Sequence, residues 1–189
     1  MIDMQVEISE FLAKERDAVN QLDTAEIEKA FIFLMGAIRR GNTIYCFGNG
    51  GSASTASHFA NDFNKIINSK LDKKFNFICL NDNVPTMMAV ANDIGYEEVF
   101  RFQMLGHVKP GDVVIAISGS GNSENAINAV TYAMENGATI IGLTGFDGGK
   151  LKQLAHINLW VPINNMLITE DVHLMFNHLL VSLLSKFTD

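Results

Sequence analysis

Two loops rich in glycine and serine carry the residues best suited to hold an anion. The first, Asn49–Ser52, joins an apolar run to a helical stretch and places glycines at the turn. The second, Ser118–Ser123, repeats this arrangement, with three hydroxyl groups and two glycines. Free backbone N–H groups at a helix start, together with hydroxyl groups, make a favourable environment for phosphate. Both loops therefore predict a site for a small phosphorylated molecule.

Neither loop matches a nucleotide-binding motif. No Gly-Lys-Ser/Thr follows, and neither loop has G-x-G-x-x-G with an acidic residue about 20 positions later. One such loop could be no more than a tight turn, but two at the ends of predicted strands weaken that interpretation. Ligands of open parallel sheets bind beyond the carboxyl ends of the strands, so the two loops could share one ligand.

The elements that position these loops follow from the hydrophobic periodicity. Two amphipathic helices are predicted between Met4 and about Arg40, with a break at Asp23 and Thr24. Short apolar runs then predict five strands, at Thr43–Gly48, Asn76–Leu80, Asp112–Ser118, Ala138–Leu143 and Ile157–Val161. Because helices separate these strands, the sequence predicts an α/β fold with a parallel sheet covered on both faces.

Helical periodicity also places the helices around the strands. They are predicted at Ser52–Ile67, Val84–Asn92, Tyr96–Leu105, Glu124–Asn136, Gly149–Leu154 and about Thr169–Lys186. The middle of the last helix is apolar around more of its circumference than one core face needs, so a second chain is expected to cover the remainder. No internal repeat or linker is present, which predicts one domain over residues 1–189.

Bulk composition excludes several classes of protein. A formal net charge of −7 disfavours a nucleic-acid partner, because phosphate backbones are bound by clustered Lys and Arg. Cys46 and Cys79 lie in apolar runs, so no disulfide is expected and a reducing cytoplasm fits. The N-terminal segment does not resemble a signal peptide, and no run approaches the roughly 20 apolar residues that span a bilayer. We therefore expect a cytoplasmic protein without a membrane partner.

Five segments together resemble the sedoheptulose 7-phosphate isomerase (phosphoheptose isomerase) group of the SIS family. They are GNGGSASTASHFANDF, AVANDIGYEEVF, GDVVIAISGSGNSENAINAV, GLTGFDGG and EDVHLMFNH. The resemblance implies a three-layer fold with a five-stranded parallel sheet, two N-terminal helices and a long C-terminal helix. It also implies a homotetramer with interfacial active sites, in which residues 1–40 form a helical extension used in oligomerisation.

The same resemblance implies a reaction and a substrate site. The reaction would interconvert sedoheptulose 7-phosphate and D-glycero-D-manno-heptose 7-phosphate through an enediol. Asn49 and Gly51 would shape the first loop, and Asn92 and Asp93 would line the sugar site. The residues implied to hold the phosphate are Ser52, Ser118, Gly119, Ser120 and Ser123.

An aldose–ketose isomerase needs a base that moves a proton between two carbons and an acid or electrophile that stabilises charge on the oxygens. His58 and Asp62 are four residues apart on one predicted helix, so they project from the same face. Glu170 and His178 lie on the last predicted helix. The resemblance implies that Asp62 and His178 transfer the proton and that all four residues can bind zinc.

Helix geometry constrains that zinc site. Glu170 and His178 are eight residues apart, or roughly 12 Å along the helix axis. One zinc ion held about 2 Å from each ligand cannot easily be reached by both. We therefore expect one chain to contribute Glu170 and another chain to contribute His178.

Several positions depart from the pattern of the group. Asp62 stands where Glu is usual and Glu170 where Gln is frequent. Gly119 replaces a common Thr, Leu167 a frequent Asp, and Lys65 lies near a usual Arg. These departures keep open an isomerase for another sugar phosphate.

The sequence also allows two interpretations in which the protein is not an enzyme. One is a SIS protein that binds a replication-initiator-type partner, although such a module does not need an acid between two histidines. The other is a sugar-sensing regulator, for which the residues before the first strand leave little room. Among single residues, His58 could instead cap or pack a helix, His178 could be a core histidine, and His173 is expected to be structural or interfacial.

Overall fold

A parallel sheet of five strands forms the centre of the computed structural model, which describes residues 2–187. The strands are β1 (Thr43–Gly48), β2 (Asn76–Cys79), β3 (Val113–Ser118), β4 (Thr139–Thr144) and β5 (Ile157–Trp160). Their order in the sheet is β2-β1-β3-β4-β5, with every pairing parallel. The chain reverses its direction of winding between β1 and β3, which is the point at which open parallel sheets bind ligands.

Helices cover both faces of this sheet. They are α1 (Met4–Asn20), α2 (Thr24–Arg40), α3 (Gly51–Asp62), α4 (Asn68–Lys70), α5 (Val84–Asp93), α6 (Arg101–Met104), α7 (Glu124–Glu135), α8 (Gly149–Leu154) and α9 (Met166–Ser185). A π-helical turn, Phe63–Ile67, joins α3 to α4, and a 3₁₀ turn, Tyr96–Glu98, precedes α6. The predicted three-layer α/β fold is confirmed for residues 2–187, and the terminal residues of the predicted domain, Met1, Thr188 and Asp189, lie outside that range.

The structure corrects three predicted helices. The last helix begins at Met166 rather than Thr169, because the Asn165 side chain caps it by accepting hydrogen bonds from two backbone N–H groups. The predicted helix Ser52–Ile67 changes to π-helical hydrogen bonding at Phe63. The predicted helix Tyr96–Leu105 is a 3₁₀ turn followed by the four-residue α6.

Alternate residues of the central strands enter two separate cores. Ile44 and Cys46 pack beneath α1, α2, α3 and α9, whereas Tyr45 and Phe47 pack beneath α5, α6 and α7. Cys46 and Cys79 are both unpaired, as predicted. Burial raises the pKa of the Cys46 thiol well above its usual range, so this thiol stays protonated.

Contrary to the expectation from the sequence, one helix, α9, is long and apolar enough, by length and composition, to cross a membrane. Half of its apolar window is nevertheless buried inside the fold, where it packs against α3. Phe176, Leu180 and Leu184 on its inner face are almost fully buried. These contacts are those of a core helix in a folded domain.

The Asp112 side chain fixes the end of the sheet opposite the glycine-rich loops, where β1 and β3 begin. Its carboxylate is 3% exposed and accepts hydrogen bonds from the backbone N–H groups of Thr43 and Lys109, both at 2.9 Å. The Asn42 side chain donates a third hydrogen bond, at 3.3 Å. Asp112 thereby ties the start of β1 to the turn before β3 and aligns the two strands that carry the glycine-rich loops.

Replacing Asp112 with Ala should lower the free energy of unfolding by about 2 kcal/mol, because the Thr43 N–H loses its buried acceptor. Urea unfolding monitored by circular dichroism measures the change. The control is Asp72→Ala, at an exposed carboxylate, which should stay within about 0.5 kcal/mol of wild type. Equal midpoints for the two variants would contradict the role given to Asp112.

Candidate active site

The two glycine-rich loops meet in one cavity of about 250 Å³ beyond the carboxyl ends of β1 and β3. All seven of the loop residues predicted to shape the loop or hold phosphate line it. Its lining consists of Asn49, Gly50, Gly51, Ser52, Ile117, Ser118, Gly119, Ser120, Ser123, Met166 and Glu170. The structure therefore brings both loops to one point, as the sequence predicted.

Two of the helices that begin at this cavity, α3 and α7, have open N-termini. Helix α3 follows Gly50 and α7 follows Ser123, and neither start receives a side-chain cap. The N–H groups of a first helical turn have no partner within the helix, and the helix dipole favours negative charge there. The Ser118 and Ser123 hydroxyl oxygens lie 3.3 Å apart beside the second start. The cavity thus presents backbone and hydroxyl donors to a phosphate.

The side chain of Asn49 shapes the first loop through hydrogen bonds within the protein. It exchanges two hydrogen bonds with Asn125, at 2.9 and 3.0 Å, and accepts a third from the Tyr96 hydroxyl at 2.8 Å. Sequence reasoning missed Asn125 and Tyr96. The periodicity of α7 places Asn125 on the buried side of that helix, where it is 2% exposed. A polar residue at such a position was the signal that could have identified it.

Asn92 and Asp93, which the resemblance placed at the sugar site, lie at the exposed C-terminal end of α5. The Asn92 side chain donates to the Asp93 carboxylate at 2.7 Å. Neither residue lines the cavity within this chain. Their predicted contact with a sugar stays a prediction.

The N-terminal part of α9 lies over the cavity, and two of its side chains closely approach glycines of the loops. The Glu170 carboxylate lies so close to Gly51 that a Cβ atom there would collide with it. The Met166 thioether occupies the corresponding position against Gly119. A larger residue at either position would displace the flexible end of Glu170 or Met166 from the cavity.

A second group of functional side chains lies further along α3 and α9. His58, Asp62 and His178 each offer one ligand atom, and these atoms all lie within 4.8 Å of one another. The two His Nε2 atoms are 3.2 Å apart, and Asp62 Oδ2 is 3.3 Å from His58 Nε2 and 3.9 Å from His178 Nε2. The structure brings together the trio that the sequence singled out.

The three side chains differ in burial. The Asp62 side chain is 10% exposed, whereas those of His58 and His178 are 42% and 56% exposed. The alternative that His178 is a core histidine is therefore wrong, because its ring faces solvent. His58 contacts Asp62 and His178 rather than a helix terminus, so it is not a capping residue.

Two asparagines hold the Asp62 carboxylate. Asn177 donates to Oδ2 at 2.7 Å from within the core, and Asn61 donates to Oδ1 at 3.1 Å. The π-helical turn Phe63–Ile67 begins directly after Asp62, and such turns are frequent at functional sites. Asn177 was missed by sequence reasoning, although a polar residue next to His178 in an apolar helix was a signal.

The chemistry of the trio fits a zinc ion. Two imidazole nitrogens and a carboxylate oxygen are preferred zinc ligands, and ligands bound tetrahedrally at about 2.1 Å lie roughly 3.4 Å apart. The separations of 3.2, 3.3 and 3.9 Å are close to that value. Glu170, the fourth predicted ligand, is not part of this group and lies over Gly51 instead. Its predicted contribution to another chain's site stays a prediction.

Comparison with known proteins agrees with this geometry. Residues 10–145 match the model of the SIS domain family. The chain belongs to the SIS domain family. It is 37% identical over 181 residues to a phosphoheptose isomerase of Aliarcobacter butzleri, an alignment that covers 95% of each chain.

Solved structures extend this similarity. The phosphoheptose isomerase of Neisseria gonorrhoeae superimposes with a TM-score of 0.89 at 27% identity, covering 97% of this chain and 100% of its own. That of Francisella tularensis gives a TM-score of 0.86 at 26% identity, covering 98% and 100%. The resemblance to the phosphoheptose isomerase group is therefore confirmed over nearly the whole chain.

A row of buried polar side chains runs along the inner face of α9. Thr169, His173 and Asn177 are spaced four residues apart, and each is 0% exposed. Neither ring nitrogen of His173 has a well-formed hydrogen bond among the described residues, although the backbone of Thr144 lies close enough to raise its pKa against the larger effect of burial. Burial lowers the pKa of His173 to about 4, so the ring is neutral at pH 7. His173 is structural, as expected.

The buried His173 should make the fold sensitive to acid. The pKa of this histidine is near 6.5 in the unfolded chain. Between pH 6.5 and 4 the unfolded state therefore binds a proton that the folded state does not, and the free energy of unfolding falls as the pH is lowered through this range. His173→Leu should remove up to ~3 kcal/mol of this loss. Urea unfolding at several pH values from 7 to 4, with EDTA present, measures it. Parallel curves for wild type and variant would contradict the prediction.

Proposed function

We propose that this chain is an aldose–ketose isomerase of a seven-carbon sugar phosphate, interconverting sedoheptulose 7-phosphate and D-glycero-D-manno-heptose 7-phosphate. The observation that carries the proposal is the shared framework of the two groups of side chains. Helix α3 begins at the phosphate cavity and carries His58 and Asp62, while α9 reaches from the same cavity to His178. The names of the similar proteins support the same substrate.

The separation of the two groups supports a long substrate. Gly51 and His58 are seven residues apart on α3, or roughly 10 Å along the axis. An extended seven-carbon chain with a terminal phosphate has a comparable length. Phosphate held by the loops would therefore leave the first two carbons of the sugar beside Asp62 and His178.

The chain's own residues can supply the proton transfers. Phosphate binding at the open N-termini of α3 and α7 anchors one end of the sugar and excludes water from the loops. Asp62, fixed with Oδ2 toward the histidines, is suited to take a proton from the carbon next to the carbonyl and to return it to the neighbouring carbon through the enediol. His178 is suited to exchange a proton with the sugar oxygens.

His58, Asp62 and His178 are also the residues that would hold zinc, with Glu170 from a second chain as a further ligand. Bound zinc would supply Lewis-acid polarisation of the sugar carbonyl. The fit of the three ligand atoms supports this part of the proposal.

We further infer a cytoplasmic homotetramer in which the N-terminal helices pack against other copies. Apolar side chains on these helices are exposed in the single chain, including Ile8 and Leu12 on α1 and Ile32 and Phe33 on α2. They lie outside the core that α1 and α2 form with the sheet. An interface between copies would cover them and would bring Glu170 of one chain toward the site of another.

The isomerase activity is tested by incubating the protein with sedoheptulose 7-phosphate, with and without zinc, and following the aldose product. Asp62→Asn and His178→Ala should each lower kcat by roughly 10²–10⁴-fold, because each removes a proton-transfer group. Ser118→Ala and Ser120→Ala should raise KM by about tenfold with little change in kcat, since a hydrogen bond to phosphate is lost.

The control for the histidine variant is His107→Ala, an exposed histidine that lines neither the phosphate cavity nor the His58 group. This variant should match wild type in kcat and KM. No turnover of sedoheptulose 7-phosphate under either condition would refute the proposed substrate. Turnover of a different sugar phosphate in a parallel panel would then favour the related isomerase.

The oligomer is tested by light scattering coupled to size-exclusion chromatography. Wild type should elute with about four times the chain mass of 20.8 kDa. The double variant Ile8→Glu and Leu12→Glu should dissociate, because charges would replace the apolar side chains at the contact. Glu10→Lys, a charge reversal at an exposed position on the opposite side of α1 from Ile8 and Leu12, is the matched control and should remain assembled. A monomeric wild type would contradict this inference.

A further inference from the structure

Asn177 is an unusual residue for its position. It is 0% exposed, lies on the face of α9 that packs on the core, and directly precedes the solvent-exposed His178. Burying an amide is unfavourable unless its polar atoms are hydrogen-bonded. The Asn177 amide is only half satisfied, because its Oδ1 atom has no partner among the described residues. An apolar side chain would suit the stability of the fold better at this place.

The satisfied half of the amide contacts the oxygen that faces the histidines. Asn177 Nδ2 donates to Asp62 Oδ2 at 2.7 Å, the shortest hydrogen bond to this carboxylate. The same Oδ2 lies 3.3 Å from His58 Nε2 and 3.9 Å from His178 Nε2. The bond therefore acts on the atom through which Asp62 would react or bind a metal ion.

This bond limits the freedom of the Asp62 carboxylate. The final torsion of an Asp side chain is broad, so a carboxylate held at one oxygen can rotate about the Cβ–Cγ bond. Asn61 holds Oδ1 at 3.1 Å from an exposed position, whereas Asn177 holds Oδ2 from the rigid core. With both donors present, rotation breaks at least one bond. Without Asn177, only the exposed donor remains.

We propose that Asn177 is a positioning residue, which fixes Asp62 Oδ2 toward His58 and His178. The proposal rests on the proposed function to the extent that Asp62 is the proton-transfer group. Outer partners of functional carboxylates usually affect metal affinity or activity by about 10–100-fold, and rates respond to displacements near 1 Å. The unsatisfied Oδ1 atom is consistent with a residue kept for function at some cost in stability.

The test is Asn177→Leu, which keeps an uncharged side chain of similar size and removes the donor. We expect kcat to fall about 10–100-fold while KM stays within about threefold, because the phosphate loops are untouched. On the substrate-free protein, the dissociation constant for Co²⁺, read from its visible absorption, should rise by a similar factor. The urea midpoint should change little, whereas a merely structural residue would lower the midpoint and leave kcat unchanged.

His173→Leu is the matched control. His173 lies one turn earlier on the same face of α9, is equally buried and makes no hydrogen bond to Asp62. The control should keep kcat and Co²⁺ affinity within about twofold of wild type. A second control places Asn177→Leu in an Asp62→Ala background, where the effect on Co²⁺ affinity should disappear because the carboxylate is absent.

The outcomes separate this inference from the proposed function. A wild-type protein that binds Co²⁺ but turns over no sugar phosphate would refute the proposed function. The role of Asn177 would then be judged from the Co²⁺ dissociation constants of wild type and Asn177→Leu. Values of kcat and Co²⁺ affinity within twofold of wild type would overturn the inference, as would equal effects with and without Asp62. Should wild type bind no Co²⁺, additive urea midpoints for Asp62→Ala and Asn177→Leu would overturn it, and non-additive midpoints would support the bond.

Discussion

The packing of α3 against α9 is the constraint on which the rest of the site depends. Ala56 and Phe59 on α3 are fully buried and let α9 approach closely, with Phe176 filling the space between the helices and the sheet. Both helices then have one end at the phosphate cavity and a functional side chain further along. Because helices are rigid over this distance, the separation between the cavity and the group of His58, Asp62 and His178 is fixed by helical rise rather than by loop conformation.

That packing also explains why polar residues lie inside an otherwise apolar contact. Asp62 is on the buried side of α3, where α9 and its own helix each supply one donor to its carboxylate. Thr169 and His173 lie on the same inner face without comparable partners. These unpaired buried groups lower the stability of the contact between the two helices. Asn177 is the member of the row that forms a hydrogen bond, and its partner is Asp62.

Periodicity and spacing were sufficient to predict the strands, the convergence of the two loops and the shared face of His58 and Asp62. These features depend on local sequence and on the rule that parallel strands end at one edge. Asn125, Tyr96 and Asn177 could not be predicted in this way, because each acts through a partner at least 47 positions away in the sequence. The start of α9 was misplaced since Asn165 and Thr169 are both acceptable capping residues, and only packing decides between them.

The shorter acid at position 62 is accommodated within the chain. An Asp reaches one methylene less than the Glu usual in the group, yet Oδ2 still approaches both imidazole rings, whose Nε2 atoms are 3.2 Å apart. The departure therefore does not by itself remove the chemistry of the site. Selection among sugar phosphates must depend on groups that the substrate meets between the loops and the trio. In this chain Met166 and Glu170, near the start of α9, line the cavity beside Gly119 and Gly51 and are the nearest such groups.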